Sequence, residues 1–172
     1  MELGVIVGMH EGDIGERIKD VSEFGFKTCQ ISCWDMAKMT DENAEKIITA
    51  TKKYGVKVSA FWCGWEGAAA WDFVDGYHTL GLVPLYYRKS RIQNLKQGSD
   101  FAKKIGVTDV ATHMGFLPEN CKTDEYSAVI EAIKEVALYM KQNGQNLLFE
   151  TGQETPVTLL RLFEDVGTDN LF

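Results

Sequence analysis

Asn146-Leu147-Leu148-Phe149-Glu150, followed by Thr151-Gly152-Gln153-Glu154-Thr155-Pro156, is the stretch that decides how this sequence is read. A short apolar run ends in a carboxylate, which is the pattern of a buried strand delivering a charged group at its end. Thr155-Pro156 then opens a helix, with a hydroxyl cap and a proline at the first helical position. A helix to about Asp165 follows, and Asn170-Leu171-Phe172 reads as the opening of one more strand.

Working back from that unit, the same order recurs. Thr108–His113 is a strand and Glu125–Gln142 a helix, preceded by a helix from about Arg88 to Ile105. Val56–Trp62 is a strand, and the helix before it, Asp41–Tyr54, stops at Gly55. Lys27–Cys33 is the second strand. Asp13–Phe24 carries Ile14, Ile18, Val21 and Phe24 at helical spacing, and Leu3–Gly8 is the first strand. The rhythm breaks once, over Cys63–Tyr87, an insertion rich in glycine and aromatic residues. A loop of that length in a compact domain usually carries function.

Alternating strands and helices with apolar strands predict an α/β fold, a parallel sheet covered by helices. Barrel and open doubly wound arrangements both fit the periodicity. Gly8-Met9-His10-Glu11-Gly12 is not a dinucleotide fingerprint, and no phosphate-binding loop is present. No linker or low-complexity tract divides the chain, so residues 1–172 are read as one domain. A closed barrel of eight units usually needs roughly 250 residues. The 172 residues supply about five units and the start of a sixth strand, so the expectation is the front part of such a barrel.

Apolar content of 45% and charged content of 25% are ordinary for a globular protein. A formal charge of −7 argues against nucleic-acid and anionic-membrane partners, which favour basic surfaces. No apolar run has the length of a membrane span, and Met1-Glu2 lead directly into a strand without a basic leader, so the expected compartment is cytoplasmic. The four cysteines fit reduced, structural thiols. Cys29 and Cys33, four residues apart on one strand, would be separated by roughly 13 Å, too far to share one metal ion.

Glu150 is the sharpest candidate for chemistry. An ionised group ending an apolar strand is costly unless it is paired or bound to metal. It either meets a divalent cation or caps the next helix or pairs with an arginine. His113 also ends a strand, beside Gly115, where a neutral imidazole could hydrogen-bond a hydroxyl, bind metal or simply pack. His10 holds the equivalent position after the first strand. Trp34, Trp62 and Trp65 follow strands two and three and could wall a pocket against the apolar face of a sugar ring, or pack the long loop. Trp71 and His78 read as part of the insertion. Arg88, Lys89 and Arg91 open a helix at its positive end, where cations are disfavoured. They are read as a solvated surface cluster in preference to a phosphate or carboxylate site.

With these residues in hand, the chain resembles the sugar phosphate isomerase/epimerase family, the xylose-isomerase-like metal-dependent barrels. The resemblance runs through the whole sequence. It is carried by Thr112-His113-Met114-Gly115, by Leu148-Phe149-Glu150-Thr151-Gly152-Gln153-Glu154, and by Gly81-Leu82-Val83-Pro84 with Arg91 downstream. It implies a parallel (β/α) TIM-barrel type fold, here incomplete. It also implies that Glu150 is both a metal ligand and one of two carboxylates that move a proton beside a carbonyl. The metal, Mn²⁺, Mg²⁺, Co²⁺ or Zn²⁺ in the parent enzyme, would stabilise the enediolate. The remaining ligands, an aspartate, a histidine and a glutamate, would come from strands six to eight, outside this sequence. His113, His10, Trp34, Trp65 and Glu154 would contact a sugar or sugar phosphate. The DNA-cleaving branch of the superfamily carries a histidine where this chain has Phe61-Trp62-Cys63-Gly64, which argues against that activity. Three further expectations stand beside the isomerase/epimerase. One is an inosose-type dehydratase, one a small-molecule-binding domain, and one a non-enzymatic fragment forming homo-oligomers through exposed sheet edges. On the leading reading the chain alone is weakly active or inactive.

Overall fold

The computed structural model describes residues 2–172; Met1, part of the stretch on which the leader expectation rests, lies outside them. Strand β1 (Gly4–Gly8) is followed by helix α1 (Ile14–Glu23), β2 (Thr28–Cys33), α2 (Asp41–Tyr54) and β3 (Lys57–Cys63). The insertion contains only a single turn, α3 (Gly76–Thr79). Then come α4 (Leu85–Lys104), β4 (Asp109–His113), α5 (Asp124–Gln142), β5 (Asn146–Glu150) and α6 (Pro156–Val166).

Local chemistry sets the helix ends. The Asp13 side chain accepts the Gly15 and Glu16 amides, and Thr40, Thr123 and Thr155 cap α2, α5 and α6 in the same way. Gly55 and Gly167 end α2 and α6 with left-handed backbone. No helix among the described residues is long and apolar enough to cross a membrane.

All five strands are parallel and stand in the order β1-β2-β3-β4-β5. A doubly wound sheet must reverse its order at a switch point. This sheet never reverses, so each unit winds onward in one direction, as in a barrel. The sixth strand also begins as expected. The Leu147 and Phe149 amides donate to the Asn170 and Phe172 carbonyls at 2.8 and 2.7 Å, and Leu171 bridges to Leu147 in parallel. Asn170 is buried and its amide donates to the Ala137 and Gln145 carbonyls, which fixes that segment beside β5.

One face of the sheet carries the core. Val7, Ile31, Phe61, Val110 and Leu147 pack in a single cluster with Ile18, Ile47, Leu95, Ile133 and Leu162 from the helices. Each fully buried aliphatic side chain contributes about 1.5–3 kcal/mol. The opposite face is thinner. There Trp62, Trp65, Leu80 and Ala111 form a separate cluster, with Trp34, Phe116 and Leu148 packed against it.

A β-bulge decides which residues reach that second face. Cys29 pairs with Val58 but Gln30 pairs with Ala60, so Ser59 is an extra residue in β3. Before it Val58 faces the helices; after it Phe61 and Cys63 do, and Trp62 turns to the other side. Strict alternation would have put Trp62 on the same face as Val58.

The arginine cluster needs correction. Helix α4 starts at Leu85, three residues earlier than the spacing suggested, and Arg88 and Arg91 lie inside its first two turns. Neither is solvated. Both are buried, and both guanidinium groups are satisfied by backbone carbonyls of the insertion. Loop carbonyls at Glu66, Ala68, Thr79, Gly81, Leu82 and Val83 take these donors instead of water. Cys29, Cys33 and Cys63 are free and buried, and Cys121 is free and exposed. Burial pushes the Cys29 and Cys33 thiols up to about 11, and Cys63 also upward, so these thiols are inert structural groups.

Candidate active site

Parallel register brings the strand ends together. His113 pairs with Glu150 across β4 and β5, Ala111 with Trp62 across β3 and β4, and Trp62 with Ser32 across β2 and β3. Neighbouring strands lie about 4.8 Å apart, so inward-pointing side chains at these positions share one surface. All of them but His113 line a trough of about 560 Å³ on the face away from the helices. Ile6, Gln30, Ser32, Ala111 and Leu148 form its floor, Trp34, Trp62 and Trp71 its walls, and Glu150 stands at one end.

Glu150 is exposed rather than buried. The cost expected for an ionised group ending an apolar strand is small here, because this end of β5 opens onto the trough. Its partner is the Trp62 indole N–H, which donates to Oε2. No arginine is within ion-pair distance of it among the described residues. A single neutral donor holds the carboxylate in place while leaving its charge and other lone pairs available.

His113 is only 6% exposed. Its Nδ1 accepts the Gly115 amide at 3.0 Å. A neutral imidazole has one ring lone pair, and here that lone pair is occupied. The proton therefore sits on Nε2, which faces Gly152; a Cβ there would lie 2.6 Å from Nε2. Burial lowers the His113 pKa, partly opposed by Glu154 and Glu150. His113 is thus a neutral hydrogen-bond donor, and of the roles left open by the sequence, metal ligation fits this geometry worst.

His113 opens on a side pocket of about 270 Å³, lined also by Trp71, Phe73, Phe116 and Gln153. The Trp71 ring meets the His113 ring edge-on at 5.2 Å and borders both cavities. Glu154 lies just beyond, with Oε1 accepting the Gly152 amide at 3.0 Å and Oε2 buried without a partner.

The other candidates fall differently. Trp34 lines the trough as read, stacked 4.7 Å from Trp62. Trp65 is buried behind it, against the rings of Trp34 and Trp62 and the Arg91 guanidinium, and lines neither the trough nor the side pocket beside His113. His10 is exposed at the far edge of the sheet, beside Glu11, and does not line the trough. Trp71 is the residue the sequence reading passed over; it lay in an irregular loop with no spacing to show that it folds back over β4. A cleft of about 360 Å³ between α1 and α2 lies among the helices, lined by Asp13, Glu42 and Lys46, and shares no residue with the trough.

The sequential winding of the sheet agrees with what known proteins show. The profile of the xylose isomerase-like TIM barrel family matches residues 18–172. The chain belongs to that family. A solved structure of a xylose isomerase domain protein from Planctomyces limnophilus superposes on this xylose isomerase-like chain with a TM-score of 0.89 at 29% identity. It covers 99% of this chain and 60% of its own. An L-ribulose 3-epimerase aligns with a TM-score of 0.73 at 19% identity, covering 99% of this chain and 59% of its own. A xylose isomerase-like TIM barrel protein from Mycobacterium smegmatis, solved in complex with magnesium, gives 0.64 at 19% identity over 91% of this chain and 54% of its own. These last two likenesses speak for the fold. The chain thus spans about 60% of the length of such structures. A search of curated proteins gives no match.

A metal ion needs several ligands converging on one point. Among the described residues no group of three His, Cys, Asp or Glu side chains is placed to hold one. Glu150 is the one carboxylate of the trough. These residues therefore do not build a metal centre by themselves, although Glu150 can supply one ligand to a larger one.

Proposed function

We propose that this chain forms the sugar-binding front of a divalent-metal-dependent sugar isomerase or epimerase. The observation that carries this reading is Glu150, held by the Trp62 indole at the carboxyl end of β5 and directed into an aromatic trough. A trough of about 560 Å³ suits a monosaccharide or its phosphate. Trp34, Trp62 and Trp71 offer flat faces to the C–H side of a sugar ring. Gln30 and Ser32 offer polar groups from its floor.

In the reaction class we infer, a proton leaves the carbon beside a carbonyl and returns to a neighbouring position or the opposite face. Glu150 is the carboxylate that takes or returns it, and the His113 Nε2–H would serve a substrate group that extends past Trp71 into the side pocket. The second carboxylate and the other metal ligands would come from later strands of a complete barrel. Without them the chain turns over sugars weakly or not at all, because base, acid and electrophile must be positioned together. Mn²⁺, Mg²⁺, Co²⁺ and Zn²⁺ all suit a site with one carboxylate already in place.

Tryptophan fluorescence during titration with ketopentoses and ketohexoses tests the reading. Saturable quenching that weakens in Trp62→Phe and Glu150→Gln is expected; no response, or one unchanged by both substitutions, would overturn it. Leu3 and Ile6, exposed near the free edge of β1, favour a second reading in which the chain self-associates. Elution as a 19.3 kDa monomer would dismiss that one.

A further inference from the structure

Arg91 is completely buried and, among the described residues, has no carboxylate partner. Its guanidinium lies between the Tyr87 and Trp65 rings, 4.4 and 5.1 Å from their centres. Burial lowers its pKa to about 10, so it stays charged near neutrality. Its donors go to two places. Nε and Nη2 reach the Glu66 and Ala68 carbonyls at 3.1 and 2.8 Å, while Nη1 reaches the Thr79 and Gly81 carbonyls at 2.7 and 2.8 Å.

Those carbonyls are the two ends of one loop. The segment between Glu66 and Gly81 leaves β3 and returns to the same point, as an Ω-loop does. A second tie crosses the neck, from the Ala70 amide to the Thr79 hydroxyl at 3.0 Å. Beyond the neck the Leu82 amide donates to the Met114 carbonyl at 2.9 Å. Gly81, with φ of +63°, comes so close to Met114 that a Cβ would lie 1.9 Å from its carbonyl carbon. Trp71 sits inside the loop and is 54% exposed; its ring meets His113, Trp34 and Trp65 at 5.2, 6.1 and 6.5 Å, so its place depends on where the loop holds it.

We propose that Arg91 is a positioning residue that clasps the neck of this loop and thereby sets the Trp71 ring against His113 and the trough. It touches no ligand and acts through Trp71. Lysine cannot replace it, since one ammonium group cannot spread its donors over carbonyls on both sides of the neck. Its importance for sugar binding rests on the function proposed above, but its test uses neither sugar nor metal, so the two ideas fail separately.

The test is proton NMR of the His113 ring together with amide exchange, on Arg91→Lys, Trp71→Ala, the double variant, and Tyr87→Leu. In Arg91→Lys the His113 ring signals should move towards their positions in Trp71→Ala. Exchange of amides 67–80 should rise about tenfold or more, with the β-strand amides unchanged. In the Trp71→Ala background, Arg91→Lys should leave the His113 signals where they are. Tyr87→Leu, which keeps the hydrogen bonds and removes one stacked ring, should move them the same way by less, and it serves if Arg91→Lys does not fold. His113 signals unmoved in Arg91→Lys or, where that variant does not fold, in Tyr87→Leu, or moved equally with Trp71 absent, would overturn the proposal.

Discussion

The two faces of the same five strands are built on different terms. Towards the helices the sheet presents Val7, Ile31, Phe61, Val110 and Leu147, all buried against helices whose apolar stripes match them. Towards the other side it presents Gln30, Ser32, Trp62, Leu148 and Glu150, open to a trough. One face spends its side chains on holding the chain together. The other keeps polar and aromatic groups available, and its smaller apolar cluster joins tilted and edge-on aromatic rings to Leu80, Ala111 and Leu148. Stability and ligand binding are thus separated by the period-two alternation of the strands, and a substitution should report which face it strikes.

The largest effect is expected from deleting Ser59. Without the bulge, β3 returns to strict alternation, and either Phe61 leaves the core or Val58 and its pairing shift. A loss of roughly 4 kcal/mol or more in denaturant unfolding is expected. A stable deletion variant with Trp62 fluorescence unchanged would show that the bulge does not sort the faces. Next come two neighbours on β5. Leu147→Ala should cost about 2–5 kcal/mol, because it empties a fully packed site. Leu148→Ala, on the trough side and half-buried, should cost less than about 1 kcal/mol and alter ligand quenching instead. Equal costs would break the comparison.

A smaller effect follows from His113. Its folded pKa lies below the ordinary 6.5, chiefly through burial. The unfolded chain therefore binds more protons than the folded one as the pH falls through 6.5. Stability on this account is unaffected well above that pH, declines as the pH drops through it, and the loss is complete below the folded pKa. His113→Gln should flatten that part of a melting-temperature profile against pH. An identical slope in the variant would assign the dependence to other groups. The smallest change in stability should come from Trp71→Ala, within about 1 kcal/mol, since the ring is half-exposed.

Much of this was legible in the sequence because the physics is local. β5 (Asn146–Glu150) and α2 (Asp41–Tyr54) lie where the apolar run, the cap and the stop residue put them. Glu150, Trp34 and Trp62 reach the trough because strand-end positions converge once the winding is sequential. Periodicity alone left barrel and doubly wound sheets open, since strand order depends on helix packing; the barrel was legible only through the family resemblance, and the sequential order of the strands agrees with it. The bulge was not legible, because it changes parity without any glycine or proline to mark it. Arg88 and Arg91 were misread because helix-start cations look solvated until the carbonyls of a distant loop are placed beside them. Trp65 and His10 were grouped with the site by their position after a strand, yet one turns into the loop packing and the other faces solvent at the sheet edge.

The central claim is that Glu150 supplies the trough with a carboxylate able to meet a divalent cation. Paramagnetic broadening by Mn²⁺ in two-dimensional NMR tests it directly, and detects weak binding as well as strong. The account predicts broadening centred on Glu150 and on the Trp62 indole N–H, lost in Glu150→Gln. Broadening confined to the acidic surface around Glu42 and Asp13, or unchanged by Glu150→Gln, would contradict it.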